Sequence, residues 1–192
     1  MPLFPQTPRQ HPGYIAGRIY PTSGAASLQT ATAPSAIDII YFYPWVPPAN
    51  ITFTGGKMRV QTLGAGSSVK AGIWANSPVS MRPLGAPLFA DNTGVTTQAN
   101  TTDVTLAIGA GTLSAGVTYW FGSKYTGTLP VMLGFDAKTI NAQFIVGLPS
   151  ASAINSTFLG FADTYSNAMP TIAEAATFTF PGAVIPMMFL AT

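Results

Sequence analysis

The sequence predicts an all-β chain: a β-sandwich or jelly roll of short antiparallel strands, preceded by an extended proline-rich N-terminal arm. Three observations predict it. Short runs rich in β-branched and aromatic residues recur along the chain. Nineteen glycines and seventeen prolines separate those runs and interrupt any helical period. Only Ile172–Ala176 suits a helical turn, and no repeat of fixed period is present.

Residues 1–13 carry Pro2, Pro5, Pro8 and Pro12. Four prolines exclude a helix and remove sheet donors, so the segment is expected to run as polyproline-like chain. It reads as an assembly arm laid on a neighbouring subunit, through Pro2, Phe4, Pro5, Pro8, Arg9, Pro12 and Tyr14. A loose tail is the plain alternative. The division is an arm with its first turns over 1–36 and a β-sandwich domain over 37–192.

Strands follow in order. Ile37–Tyr43 is β-branched and aromatic and stops at Pro44 and Pro47-Pro48. Ile51–Leu63 is broken by Gly55-Gly56, the mark of a bulge or bend. Gly64-Ala65-Gly66-Ser67-Ser68 reads as a hairpin turn before Val69–Ala75. Leu88–Ala90, Val104–Ile108, Val117–Gly122 and Val131–Phe135 continue the series. Gln143–Leu148, Thr157–Phe161, Thr177–Phe180 and Val184–Leu190 complete it.

Composition narrows function. Only 7% of residues are charged against 47% hydrophobic, where a soluble domain usually carries about 25% charged. A surface of Ser, Thr, Asn, Gln, Ala and Gly is easily desolvated, which favours packing against neighbours. Eight scattered bases against six acids give a net charge of +2. That offers no basic stripe for a phosphate backbone, so nucleic-acid binding is not expected. The longest apolar stretch, Pro181–Ala191, is too short to span a bilayer and contains Pro186, so no membrane insertion is expected. The N-terminus has no apolar core of a signal peptide.

Enzyme chemistry finds little footing. With no cysteine, a disulfide framework, a thiolate metal site and a cysteine nucleophile are excluded. The single histidine, His11, lies in the arm, a poor place for a general base. Asp38, Asp91, Asp103, Asp136, Asp163 and Glu174 fall in no recognisable carboxylate-pair motif. Asp91-Asn92-Thr93-Gly94 lacks the ligand spacing of a calcium loop and reads as a plain turn. No catalytic residue, metal or cofactor is expected. The three Asn-x-Ser/Thr sequons, at Asn50, Asn100 and Asn155, read as chance. Trp74 and Trp120 lie mid-strand among apolar neighbours and are expected in the core. Trp45, between Pro44 and Pro47, is expected at the surface or an interface. Arg82 and Tyr125 join it as candidate interface or glycan contacts.

One succession of residues is more specific. Ile40–Pro48 and Ile51-Thr52-Phe53 are followed by Met58-Arg59-Val60-Gln61-Thr62, Gly64–Lys70 and Ala71-Gly72-Ile73-Trp74-Ala75. Then come Arg82-Pro83-Leu84-Gly85-Ala86-Pro87-Leu88 and Leu113–Phe121, with Met169-Pro170 and Val184–Leu190 closing the chain. Over about residues 37–192 this resembles a β-sandwich domain of tailed-bacteriophage fibre, tail-tip and head-decoration proteins. Trp74 stands where that pattern more often has tyrosine, and Leu84-Gly85 splits its usual Pro-Gly. The resemblance implies a trimer in contact with a capsid, a tail or a host surface, and it transfers no binding residue.

The expectation is therefore a non-enzymatic virion structural protein, folded in the bacterial cytoplasm and held on the particle by its arm. It would be a capsid decoration, head-fibre or tail accessory component. The alternative is a tail-fibre receptor domain that recognises host-surface carbohydrate through loops Asn76–Pro87 and Tyr125–Pro130.

Overall fold

Three stretches that are buried almost without interruption form the middle of the protein. They are β3 (Ile39–Trp45), β6 (Ser68–Asn76) and β10 (Tyr119–Thr126), each buried along nearly its whole length. Continuous burial requires cover on both faces of a sheet. In the computed structural model, which describes residues 13–22, 29–32, 34, 36–136, 159–179 and 184–192, both covers are present. Arm residues Pro2 to Pro12 and the expected strand Gln143–Leu148 lie outside the described residues.

The three strands are neighbours in a five-stranded antiparallel sheet. β12 (Leu159–Ala162) flanks β3, and β7 (Pro83–Thr96) flanks β6. A seven-stranded sheet supplies the first cover. Its centre is β5 (Gly55–Thr62), whose burial alternates with period two, as a half-buried strand requires. β8 (Thr102–Leu106) pairs along one side of β5, and β14 (Phe189–Ala191) and β11 (Val131–Asp136) along the other. β1 (Ile19–Pro21) extends past β14, while β2 (Gln29–Thr32) and β13 (Val184–Pro186) pair with β11. β4 (Ile51–Phe53) and β9 (Gly111–Leu113) make a separate two-stranded ladder.

One buried cluster draws on both large sheets: Tyr41, Tyr43, Ile73 and Phe121 from the smaller, Met58, Val60, Val104, Met132 and Leu190 from the larger. The opposite face of the five-stranded sheet carries Ile40, Phe42, Trp74, Trp120 and Leu159, covered by Met169 and Ile172. Trp74 and Trp120 are fully buried. Burial on that scale contributes roughly 4–6 kcal/mol each before ordering costs. Their indole N–H groups donate to Pro170 O at 3.1 Å and Asn76 Oδ1 at 2.8 Å, so neither is left unsatisfied.

Several sequence expectations shift. β1 and β2 precede residue 37 yet belong to the seven-stranded sheet, so the body of the fold starts inside the segment assigned to the arm and first turns. β3 continues through Pro44, because β12 pairs only Ile39–Phe42 and one side of β3 beyond Phe42 needs no donor. Gly64–Ser68 does not close a hairpin. It carries the chain from β5 in one sheet to β6 in the other, through a turn in which Ser67 N donates to Gly64 O at 3.1 Å. Asp91–Gly94 does not end a strand: Val69 pairs Val95 and Ala71 pairs Asp91, so Asn92, Thr93 and Gly94 bulge out of β7 opposite Lys70. The last apolar run is split at Met187-Met188, both buried, between β13 and β14.

Candidate interaction surfaces

The root of the arm is tied down by specific bonds. Gly17 N donates to Thr192 O at 2.6 Å and Thr192 N donates to Arg18 O at 2.9 Å. Ile15 N donates to Tyr20 Oη at 2.8 Å, and Thr192 Oγ1 donates to Ile15 O at 2.7 Å. Tyr14 meets Tyr20 edge-on with centroids 4.7 Å apart, a favoured aromatic geometry. Behind β1, buried Thr22 donates through Oγ1 to Met188 O at 2.5 Å and contacts Tyr43 Oη at 2.6 Å. Burial pushes the Tyr43 hydroxyl far above the ordinary tyrosine range, against the pull of its bonds to Thr22 and Met188. The chain thus leaves Gly13 from a fixed point.

Of the residues expected at the surface, only Arg82 remains partly accessible. Its guanidinium lies 5.6 Å over the Phe178 ring, within cation–π range. The adjoining loop is rigid. Ser77 Oγ accepts from Val79 N at 3.1 Å and Ser80 N at 3.0 Å, and donates to Glu174 Oε1 at 2.8 Å. Bonds from Ser80 and Ser77 hold the Glu174 carboxyl below its usual range. Met81 takes a left-handed φ of 53°, and Val79 at the tip is 84% exposed.

Trp45 and Tyr125 are corrections. Trp45 is 6% exposed and Tyr125 is 0% exposed. The Trp45 ring meets Phe121 at 5.7 Å, and Tyr125 Oη lies 3.2 Å from Ser123 Oγ. Pro44 stays in the pairing with β10, opposite Trp120, and the prolines around Trp45 do not turn its side chain outward. Tyr125 belongs to a strand covered on both faces, so either orientation buries it. Neither ring is available to a sugar from outside the chain.

Sequence reasoning missed Lys70 and Lys124, which counted only among the eight scattered bases. Lys124 is fully buried and Lys70 nearly so. Lys124 Nζ pairs with Asp163 and donates to Thr164 O at 3.1 Å, Asn167 O at 3.0 Å and Ala168 O at 3.3 Å. Lys70 Nζ donates to Tyr165 O at 2.9 Å and Asn167 O at 3.0 Å, 4.8 Å above the Tyr165 ring. Burial and then the Lys124 charge hold the Lys70 ammonium below its ordinary pKa. The one available signal was position: both lysines interrupt runs whose other members are buried.

The carboxylates are engaged with the fold. Asp91 Oδ1 accepts from Thr93 N at 3.0 Å and Gly94 N at 2.7 Å, and Oδ2 accepts from Ala107 N at 2.9 Å. Asp38 accepts from Tyr165 N at 2.7 Å, and Asp103 pairs with Arg59 at 2.9 Å. Among the described residues, no three His, Cys, Asp or Glu converge where a metal could be held.

The outer face of the seven-stranded sheet has a groove of about 260 Å³ lined by Ile19, Lys57, Arg59, Asp103, Leu133 and Phe189; Met58, between Lys57 and Arg59 on β5, borders it but keeps its side chain in the core. Among the described residues, the arm root, the Val79 loop and this groove are three surfaces on which contact could be built. No protein-family model matches the chain, and no curated protein matches it.

Proposed function

We propose that this chain is a non-enzymatic structural component of a tailed-bacteriophage particle, a capsid decoration, head-fibre or tail accessory protein held by its N-terminal arm. Its two large sheets are taken as the layers of a sandwich of jelly-roll type. The observation that carries the reading is the arm root. Residues 14–22 are bonded to the C-terminal strand and to Tyr43, so the residues that follow the proline-rich segment are held to the body of the fold. A mobile root would dissipate the free energy of docking as ordering entropy, whereas a fixed one does not. The scarcity of charge, 7% of residues, supports a surface built for packing, and a symmetric trimer is the assembly it suits. The carbohydrate-receptor alternative is weakened, because Trp45 and Tyr125 are enclosed.

A chain lacking residues 1–12 tests the reading. It should keep the thermal transition of the full protein but fail to join particles assembled in its presence. Incorporation at the full-length level would overturn the arm-held reading.

A further inference from the structure

Successive residues of β1 point to opposite faces of the seven-stranded sheet. Tyr20 turns toward the core and packs against Tyr14. Ile19 turns outward, is 43% exposed and lines the groove. Gly13 therefore leaves the fold beside the core-facing side of β1, while the groove opens on the other side. To enter its own groove, the arm would have to reverse around the edge strand. A proline-rich segment is stiff over several residues and reverses poorly. Extended as polyproline, residues 1–12 reach about 37 Å, enough to cross to an adjacent molecule.

The chemistry matches. Pro2-Leu3-Phe4-Pro5 is apolar, as are Ile19, Leu133 and Phe189 along the groove. Pro2–Pro8 carries no charged side chain, so it passes the Lys57 rim without repulsion. Arg59 is already neutralised by Asp103. We infer that the groove on the outer face of the seven-stranded sheet receives the N-terminal segment, residues 1–12, of a second copy of this chain. This rests on the arm-held reading and names the arm's first partner.

The test uses the full-length protein with Phe4 replaced by photoreactive benzoylphenylalanine, in mixtures of isotope-labelled and unlabelled copies. Irradiation should give a covalent dimer whose joined peptides carry both isotopes and link residue 4 to the peptide containing Leu133 or Phe189. Ile19→Arg, at an exposed position, should lower the dimer yield about tenfold, the scale of one lost apolar contact. Val117→Arg, exposed and outside the groove lining, should leave the yield unchanged. Crosslinks within one copy, to another face of the second copy, or only to a different particle protein would overturn the groove and leave the arm-held reading standing. Absence of any crosslink from residue 4, in purified protein and in assembled particles alike, would overturn both.

Discussion

Lys70 and Lys124 stand directly opposite each other in the register of β6 and β10, and both are buried. Two facing ammonium groups would repel strongly in a dry interior. Here each is enclosed by carbonyl oxygens of residues 164–168, both donate to Asn167 O, and Asp163 supplies a full negative charge. The pair therefore pins the loop after β12 onto the five-stranded sheet. That loop leads to Met169 and Ile172, which cover Trp74 and Trp120.

Removing one lysine should thus loosen a whole face of the sheet. Lys124→Met leaves Asp163 without its counter-charge and strips Thr164 O and Ala168 O of this donor, while Asn167 O keeps Lys70. Breaking a buried pair in this way costs about 3–5 kcal/mol. Asp163→Asn should cost less, since Lys124 keeps its carbonyl partners. Urea unfolding of both variants checks the order, and equal losses would show that the carbonyl cage contributes little.

Alkaline pH probes the other face. Burial, first of all, pushes the Tyr125 hydroxyl far above its ordinary 10.0, with the Ser123 bond pulling weakly the other way. Above pH 10 the unfolded chain releases a proton that the folded chain retains, so this contribution is complete below pH 10 and lost as pH rises further. Lys70 acts in the opposite sense, because its depressed folded-state pKa relieves a charging cost as pH approaches 10.5. Tyr125→Phe keeps Lys70 and the raised Tyr43 hydroxyl and removes only the Tyr125 contribution. Its stability should fall less steeply above pH 10, by up to about 1.4 kcal/mol per pH unit. Parallel urea midpoints for the two proteins would contradict this.

Strand centres and the tryptophan core were legible in the sequence, because Ile73-Trp74 and Tyr119-Trp120-Phe121 are too apolar to lie elsewhere. The side of the fold on which Trp45 and Tyr125 end was not. Their burial depends on cover from distant segments, and a residue on a two-sided strand is buried whichever way it points. The lysine cage was hidden for a similar reason: Asp163 lies 39 residues beyond Lys124, and backbone carbonyls leave no trace in a sequence. β1 and β2 escaped notice because three- and four-residue strands carry no period of their own. The arm root was visible only as Tyr14 beside a proline-rich run.

Asp91 separates a structural carboxylate from a calcium ligand. Both its oxygens accept backbone N–H groups that hold the β7 bulge, at 2.7–3.0 Å. A cation would have to displace those donors. Millimolar calcium should therefore leave the melting temperature unchanged. Asp91→Ala should strip three backbone amides of their acceptor and cost about 1–3 kcal/mol. A calcium-dependent rise in melting temperature that Asp91→Ala abolishes would reverse the assignment.

The crossing from one sheet to the other gives the sharpest packing test. A Cβ on Gly64 would lie 1.9 Å from Thr128 O and 2.9 Å from Pro130 N. These are backbone atoms, so no side-chain rotation relieves the clash. The facing turn is equally tight: Thr128 N donates to Ala65 O at 3.2 Å, and a Cβ on Gly127 would lie 2.4 Å from Gly66 O. The two turns can separate only by breaking that bond and pulling β10 and β11 away from β5 and β6. Gly64→Ala should therefore cost about 3 kcal/mol, at the upper end for an added methyl. Ala65→Ser, at the exposed next position, should change stability by less than about 0.5 kcal/mol. Chemical denaturation of the two variants side by side decides it, and comparable small losses would mean that the turns part freely and do not fix the sheets against each other.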